Sequence, residues 1–86
     1  MLKVQDSYKS SELTFEIFKL HAERHSYIEV RKSKFFPKGL IIDGTTIHRL
    51  IKIHDAVKDD TKKIIEDKIA KGGVHLAQIL DSVWRV

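Results

Sequence analysis

The chain has 86 residues, room for one hydrophobic core but not two, and folding at that size buries only about 60–65% of the unfolded surface. Hydrophobic residues make up 42% and charged residues 33%, a globular balance with formal net charge +4. There is no cysteine and no apolar run longer than residues 40–42, which excludes a disulfide framework, a thiolate metal site, a cysteine nucleophile and a membrane-spanning helix.

Residues 1–11 are mostly polar, with Leu2 and Val4 the only aliphatics, and read as an arm or short edge strand; they hold no apolar signal segment. Residues 12–22, ELTFEIFKLHA, are rich in aromatic and β-branched side chains, with a change of phase between Ile17 and Phe18. That pattern predicts a bulged strand or one buried on both faces. Residues 27–32, YIEVRK, alternate cleanly, turning Ile28 and Val30 inward and Tyr27, Glu29 and Arg31 outward. Pro37 interrupts the ladder, and GLII at 39–42 reads as a last short strand. Residues 12–42 are therefore expected to form a small antiparallel sheet.

Asp43 is placed to cap a helix. Ile47, Leu50, Ile51, His54, Val57, Thr61, Ile64, Ile65 and Lys68 then recur at three- and four-residue steps, predicting one helix over 43–71 that ends at Gly72-Gly73. A second amphipathic segment follows over 74–86, marked by Leu76, Ile79, Leu80, Val83 and Trp84. The expected architecture is a single α+β domain, a sheet followed by a long helix. Such a helix is about 40 Å long, whereas short strands reach only about 17–20 Å. The uncovered half of the stripe asks for the C-terminal helix folding back or for the same helix of another chain; a homodimer is the favoured expectation, with Leu50, His54, Val57, Thr61, Ile64 and Ile65 at its interface.

Little in the chain suits chemistry. His21 and His25 fall in a predicted strand and turn, where their spacing does not converge, and His48 and His54 point about 120° apart on a helix. No HExxH motif, nucleophile elbow or phosphate-cradling glycine loop occurs. The expectation is no enzyme activity, no catalytic residue, no metal and no cofactor.

The charge has a clearer pattern. Residues 30–42 carry Arg31, Lys32, Lys34 and Lys38 without a single acid, as much positive charge as the net of the whole chain. Phe35, Phe36 and Tyr27 stand beside them, a composition suited to phosphate contacts and base stacking; the same lysines would also serve to keep a sheet edge soluble.

The order YIEVRK, FFPKGLIID and TTIHRLIKIHDAVKDDTKKI resembles the single-stranded-DNA-binding family of the transcriptional coactivator positive cofactor four. The matching features are Ile28, Val30 and Arg31 in the second strand, Pro37, Lys38, Gly39 and Leu40 at the last, the Asp43 cap, and the IHDAVKDD segment at 53–60. The resemblance covers residues 14–65 and departs where Ser33 and Lys34 replace a strand aromatic and Ile47 replaces a helix aromatic. It implies a curved sheet, a dimerising helix, and sequence-tolerant binding of single-stranded DNA in transcription, replication or recombination. Lys19, Arg31, Lys32, Lys34 and Lys38 would then meet phosphates while Tyr27, Phe35 and Phe36 stack bases; RNA is the other polymer such a surface takes. The alternative is a protein–protein adaptor built on the long helix and the C-terminal segment, through which a protein partner would bind. The adaptor requires Ile79, Leu80 and Trp84 to be exposed, and the binding protein requires the strand lysines to stand clear. Eleven isoleucines and twelve lysines fit an A·T-rich genome. The expected location is intracellular, in the cytoplasm or nucleoid of a prokaryote or an infected host cell, or in the nucleus of a eukaryote.

Overall fold

A computed structural model describes residues 4–84. Its elements are α1 (Phe15–Glu23), β1 (Ile28–Val30), β2 (Leu40–Ile42), α2 (Gly44–Ala56), α3 (Asp59–Lys71) and α4 (Gly73–Val83), with a single 3₁₀ turn at Ser10–Glu12 ahead of them. The chain is mixed α+β, as expected, but helices dominate. Among the described residues none of those helices is long and apolar enough to cross a membrane.

Residues 15–23 are the first correction: they form a helix, not a strand. Thr14 is extended and its hydroxyl accepts a hydrogen bond from the Ile17 amide, a helix cap. Phe15, Phe18 and His21 are buried at three-residue steps, with Ile17 beside them. The phase change after Ile17 is therefore the helical period, not a bulge.

The sheet is correspondingly small. β1 and β2 pair antiparallel, with Ile28 opposite Ile42, Glu29 opposite Ile41 and Val30 opposite Leu40. Tyr8 joins Val30 in a single parallel bridge, its amide donating to the Glu29 carbonyl at 2.9 Å and its carbonyl accepting from the Arg31 amide at 2.8 Å. The N-terminal arm thus acts as an edge to the hairpin.

The single long helix over 43–71 is the second correction. Val57 and Lys58 are extended, and the chain restarts as α3 with Asp59 and Asp60 in its first turn. Those acids suit the positive end of a new helix dipole, which is why the break falls there without proline or glycine. Breaking the helix lets α3 turn back, and α3 and α4 pack together and against the rest. Part of the stripe that was too long for a sheet is buried within one chain: Leu50 and Ile65 join Leu13, Phe18, Ile28, Ile42, Ile47, Ile69, Leu76 and Val83 in one core. The geometric case for pairing through a long helix therefore disappears. His54 stacks on Phe15 at 3.9 Å and its Nε2 meets Glu66 Oε2 at 2.8 Å, Val57 packs partly on the core, and only Thr61 and Ile64 of the expected interface lie open.

Asp43 does cap a helix, with its carboxylate accepting from the Thr46 amide at 2.8 Å. That hydrogen bond, with the Thr46 hydroxyl, holds the Asp43 carboxyl below its ordinary pKa of 3.8. Asp43→Ala is expected to cost about 1 kcal/mol of stability, read as a lower urea midpoint. An unchanged midpoint would mean that water replaces the cap without loss.

Gly72 and Gly73 form the α3–α4 corner, as expected, and α4 follows at once. Val86 and Arg85 of the C-terminal segment, like residues 1–3, lie outside the described residues.

Candidate nucleic-acid interface

The hairpin presents its Glu29 and Ile41 side to solvent, because Ile28, Val30 and Ile42 take the core side. Where the strands open toward the connecting loop, a groove of about 330 Å³ is lined by Glu29, Arg31, Lys32, Lys38, Gly39 and Ile41, together with Val30 and Leu40. The loop between them is closed locally: the Ser33 and Gly39 amides both donate to the Phe36 carbonyl, and the Ser33 hydroxyl accepts from the Phe36 amide. Gly39, at φ +75°, turns the chain into β2, and a side chain there would stand 3.0 Å from the Val30 carbonyl oxygen. This closure holds Lys32 and Lys38 at one groove, with Lys34 in the loop between them.

All three lysines are exposed. Among the described residues, no carboxylate lies within 4 Å of their ammonium groups. Arg31 is exposed too, but its Nε donates to the Ser7 hydroxyl at 2.8 Å, so it also ties down the N-terminal arm. Glu29 is the one acid of the groove and offsets part of its charge.

The expected aromatics divide. Tyr27, just ahead of β1, is 57% exposed. Phe35 is also half open, but one face of its ring covers Gly73, where a methyl group would come within 3.0 Å. Phe36 is partly buried against the core and is a packing residue. Lys19 sits on α1, its ammonium 5.8 Å from the centre of the Phe15 ring, and does not line the hairpin groove. Tyr27, Arg31, Lys32, Lys34, Phe35 and Lys38 therefore stand exposed at the hairpin and its loop, whereas Phe36 of the same loop packs against the core and Lys19 lies on α1.

Two features escaped the sequence. A second groove, of about 540 Å³, is lined by His25, Gly44, Thr45, His48, Arg49 and Lys52. Its sequence signal is the i, i+4 pair His48 and Lys52 on one helix face; nothing local predicts that His25 joins them. The other is a buried polar chain. Tyr8, fully buried, places its hydroxyl 2.8 Å from His21 Nε2, and His21 Nδ1 lies 2.9 Å from the Ser26 hydroxyl.

That chain has one direction in which every proton is used. The Tyr8 oxygen accepts from the Gln5 amide and donates to His21 Nε2; His21 Nδ1–H donates to Ser26, whose hydroxyl points at the His21 carbonyl. The network thus assigns the neutral Nδ1–H tautomer. Burial pushes the His21 pKa below its ordinary 6.5; a backbone contact at Tyr27 opposes this and the Arg24 charge reinforces it. The folded chain then resists a proton that the unfolded chain accepts, so stability is full above pH 6.5 and falls as pH drops through the folded value. Urea midpoints measured from a unit above 6.5 to a unit below should decline, and the decline should shrink in His21→Gln. A parent midpoint that is flat or rises toward acid would contradict the assignment.

Among the described residues, no cluster of three or more histidine, aspartate or glutamate side chains is placed to hold a metal. Comparison with protein-family models, with curated proteins and with solved structures found no match for this chain.

Proposed function

We propose that this protein binds single-stranded DNA, without chemistry and without strict sequence preference, through the mouth of its β-hairpin. One observation carries the reading: Lys32 and Lys38 line one groove, Lys34 stands in the loop that joins them, and all three are exposed without a carboxylate partner among the described residues, with Tyr27 open just ahead of β1. Ammonium groups placed this way exchange condensed counterions for phosphates, and an open tyrosine ring offers a face to any base. An unpaired strand can bring both phosphate and base to such a surface, whereas a duplex keeps its bases stacked away. The adaptor reading has less support, because Ile79 is buried and Leu80 partly so, leaving Trp84 as the open member of that set.

The test is a fluorescence-anisotropy titration with an oligo-dT strand and a matched duplex over a range of salt. The single strand should bind more tightly. With about three phosphates neutralised, the slope of log K against log salt should be near about −2, at about −0.7 per contact. Absence of oligo-dT binding at low salt, or a slope near zero, would overturn the proposal.

A further inference from the structure

The second groove has the chemistry to continue the first. Its lining offers two imidazoles, a guanidinium and an ammonium, and no carboxylate. The His25 and His48 rings face each other with centroids 6.1 Å apart, so two N–H donors of neutral or protonated imidazole are gathered at one place. Arg49 is held there, its Nε donating to the Val83 carbonyl at 3.1 Å and its guanidinium lying over the Trp84 ring. Lys52 is exposed, and among the described residues no carboxylate lies within 4 Å of its ammonium. The start of α2 is already occupied by the Asp43 carboxylate on the Thr46 amide, so the side-chain cluster, not the helix end, makes this groove cationic.

Its position matters as much as its charge. Tyr27 stands two residues after His25, which lines the α2 groove, and two before Glu29, which lines the hairpin groove. Since two residues of chain span at most about 7 Å, each lining begins within that reach of Tyr27. The hairpin register runs from Ile28 opposite Ile42 to Val30 opposite Leu40, so one end of the ladder leads toward Gly44 and the other toward Gly39. An apolar and aromatic step, Ile41 on the ladder and Tyr27 just ahead of it, both more than half exposed, thus lies between the two linings along the chain.

The geometry points to a single binding track: one unpaired DNA strand meets phosphates at Lys32 and Lys38, crosses Tyr27, and enters the groove of His25, His48 and Lys52. This rests on the proposed single-strand binding and extends it to a contact surface on α2. A polyphosphate chain without bases would satisfy the grooves but not the aromatic step, so the extended nucleic acid fits the whole track better.

Lys52→Gln, His48→Gln and Lys38→Gln separate the possibilities, with exposed Lys63→Gln on α3 as a control that should leave affinity unchanged. With oligo-dT, Lys52→Gln should weaken binding up to about fivefold, the scale of one exposed charge contact, and flatten the salt slope by about 0.7. His48→Gln should weaken binding in the same direction, and the Lys52 and Lys38 losses should add. If Lys38→Gln weakens binding while Lys52→Gln and His48→Gln match the control, the strand stops at the hairpin and the track is overturned, with the single-strand reading intact. If only the α2 variants weaken binding, the hairpin is not a contact and the track is equally overturned. If the parent protein binds no oligo-dT, both readings fall.

Discussion

Gly72→Ala should lower stability by about 3 kcal/mol or more, out of a total of about 4–13 kcal/mol for a chain of this length. Gly72 has φ +66° and ψ −162°, a region essentially reserved for glycine, where any other residue carries about 1–3 kcal/mol of strain. The space is closed as well. An added methyl would stand 2.5 Å from the Ser10 carbonyl oxygen and 2.8 Å from its carbon. Those are backbone atoms, and relieving the clash would move the Ser10–Glu12 turn or open the corner between α3 and α4. A loss of this size should lower the thermal midpoint by more than about 10 °C. Gly44→Ala is the control: a methyl there meets nothing within 4 Å, so stability should hold or rise by up to about 1 kcal/mol, since alanine is the better helix former. A Gly72→Ala chain as stable as its parent would mean that the corner does not press on Ser10.

The double reversal of Lys32 and Lys38 to glutamate should cut oligo-dT affinity about a hundredfold at low salt. Each exposed contact contributes about 0.7 kcal/mol, within the range of surface charge pairs. Reversal removes the attraction and adds a repulsion of similar size, so two sites together approach about 2.8 kcal/mol, or two factors of ten. The effect should fade as salt rises, because both positions are exposed and screened. Neither lysine is in an ion pair with a described residue, so circular dichroism and the urea midpoint should stay close to the parent's. Binding that survives the double reversal within about twofold would remove the hairpin from the interface.

The reading of the sequence succeeded where a local rule was sufficient. Asp43 before an amphipathic run, the two glycines after it, and the alternation of Ile28 and Val30 each specify structure through nearby backbone chemistry. It failed where two rules competed. Phe15, Ile17 and Phe18 favour strands by type, but the Thr14 cap and burial at Phe15, Phe18 and His21 made a helix. The break at Val57 and Lys58 was hidden because the apolar spacing continues across it; only the acidic pair Asp59 and Asp60 marks a fresh start. At the interface, the cluster of lysines was legible as a run. The groove shared by His25, His48 and Lys52 was not, because it forms only once α1 and α2 lie antiparallel, with Phe15 by His54 and His25 by His48.

Trp84 is the only tryptophan of the chain. It is half exposed, and the Arg49 guanidinium lies 4.8 Å from its ring centre. Because Arg49 also lines the α2 groove, the indole is an intrinsic fluorophore coupled to that groove through a single cation. Its emission wavelength and its quenching by iodide report directly on whether the guanidinium stays in place. Unfolding would strip the cation away and shift the spectrum, and an anion that pulled Arg49 toward the groove would alter the same signal with the fold intact. The molecule thus carries its own optical reporter, readable without a label.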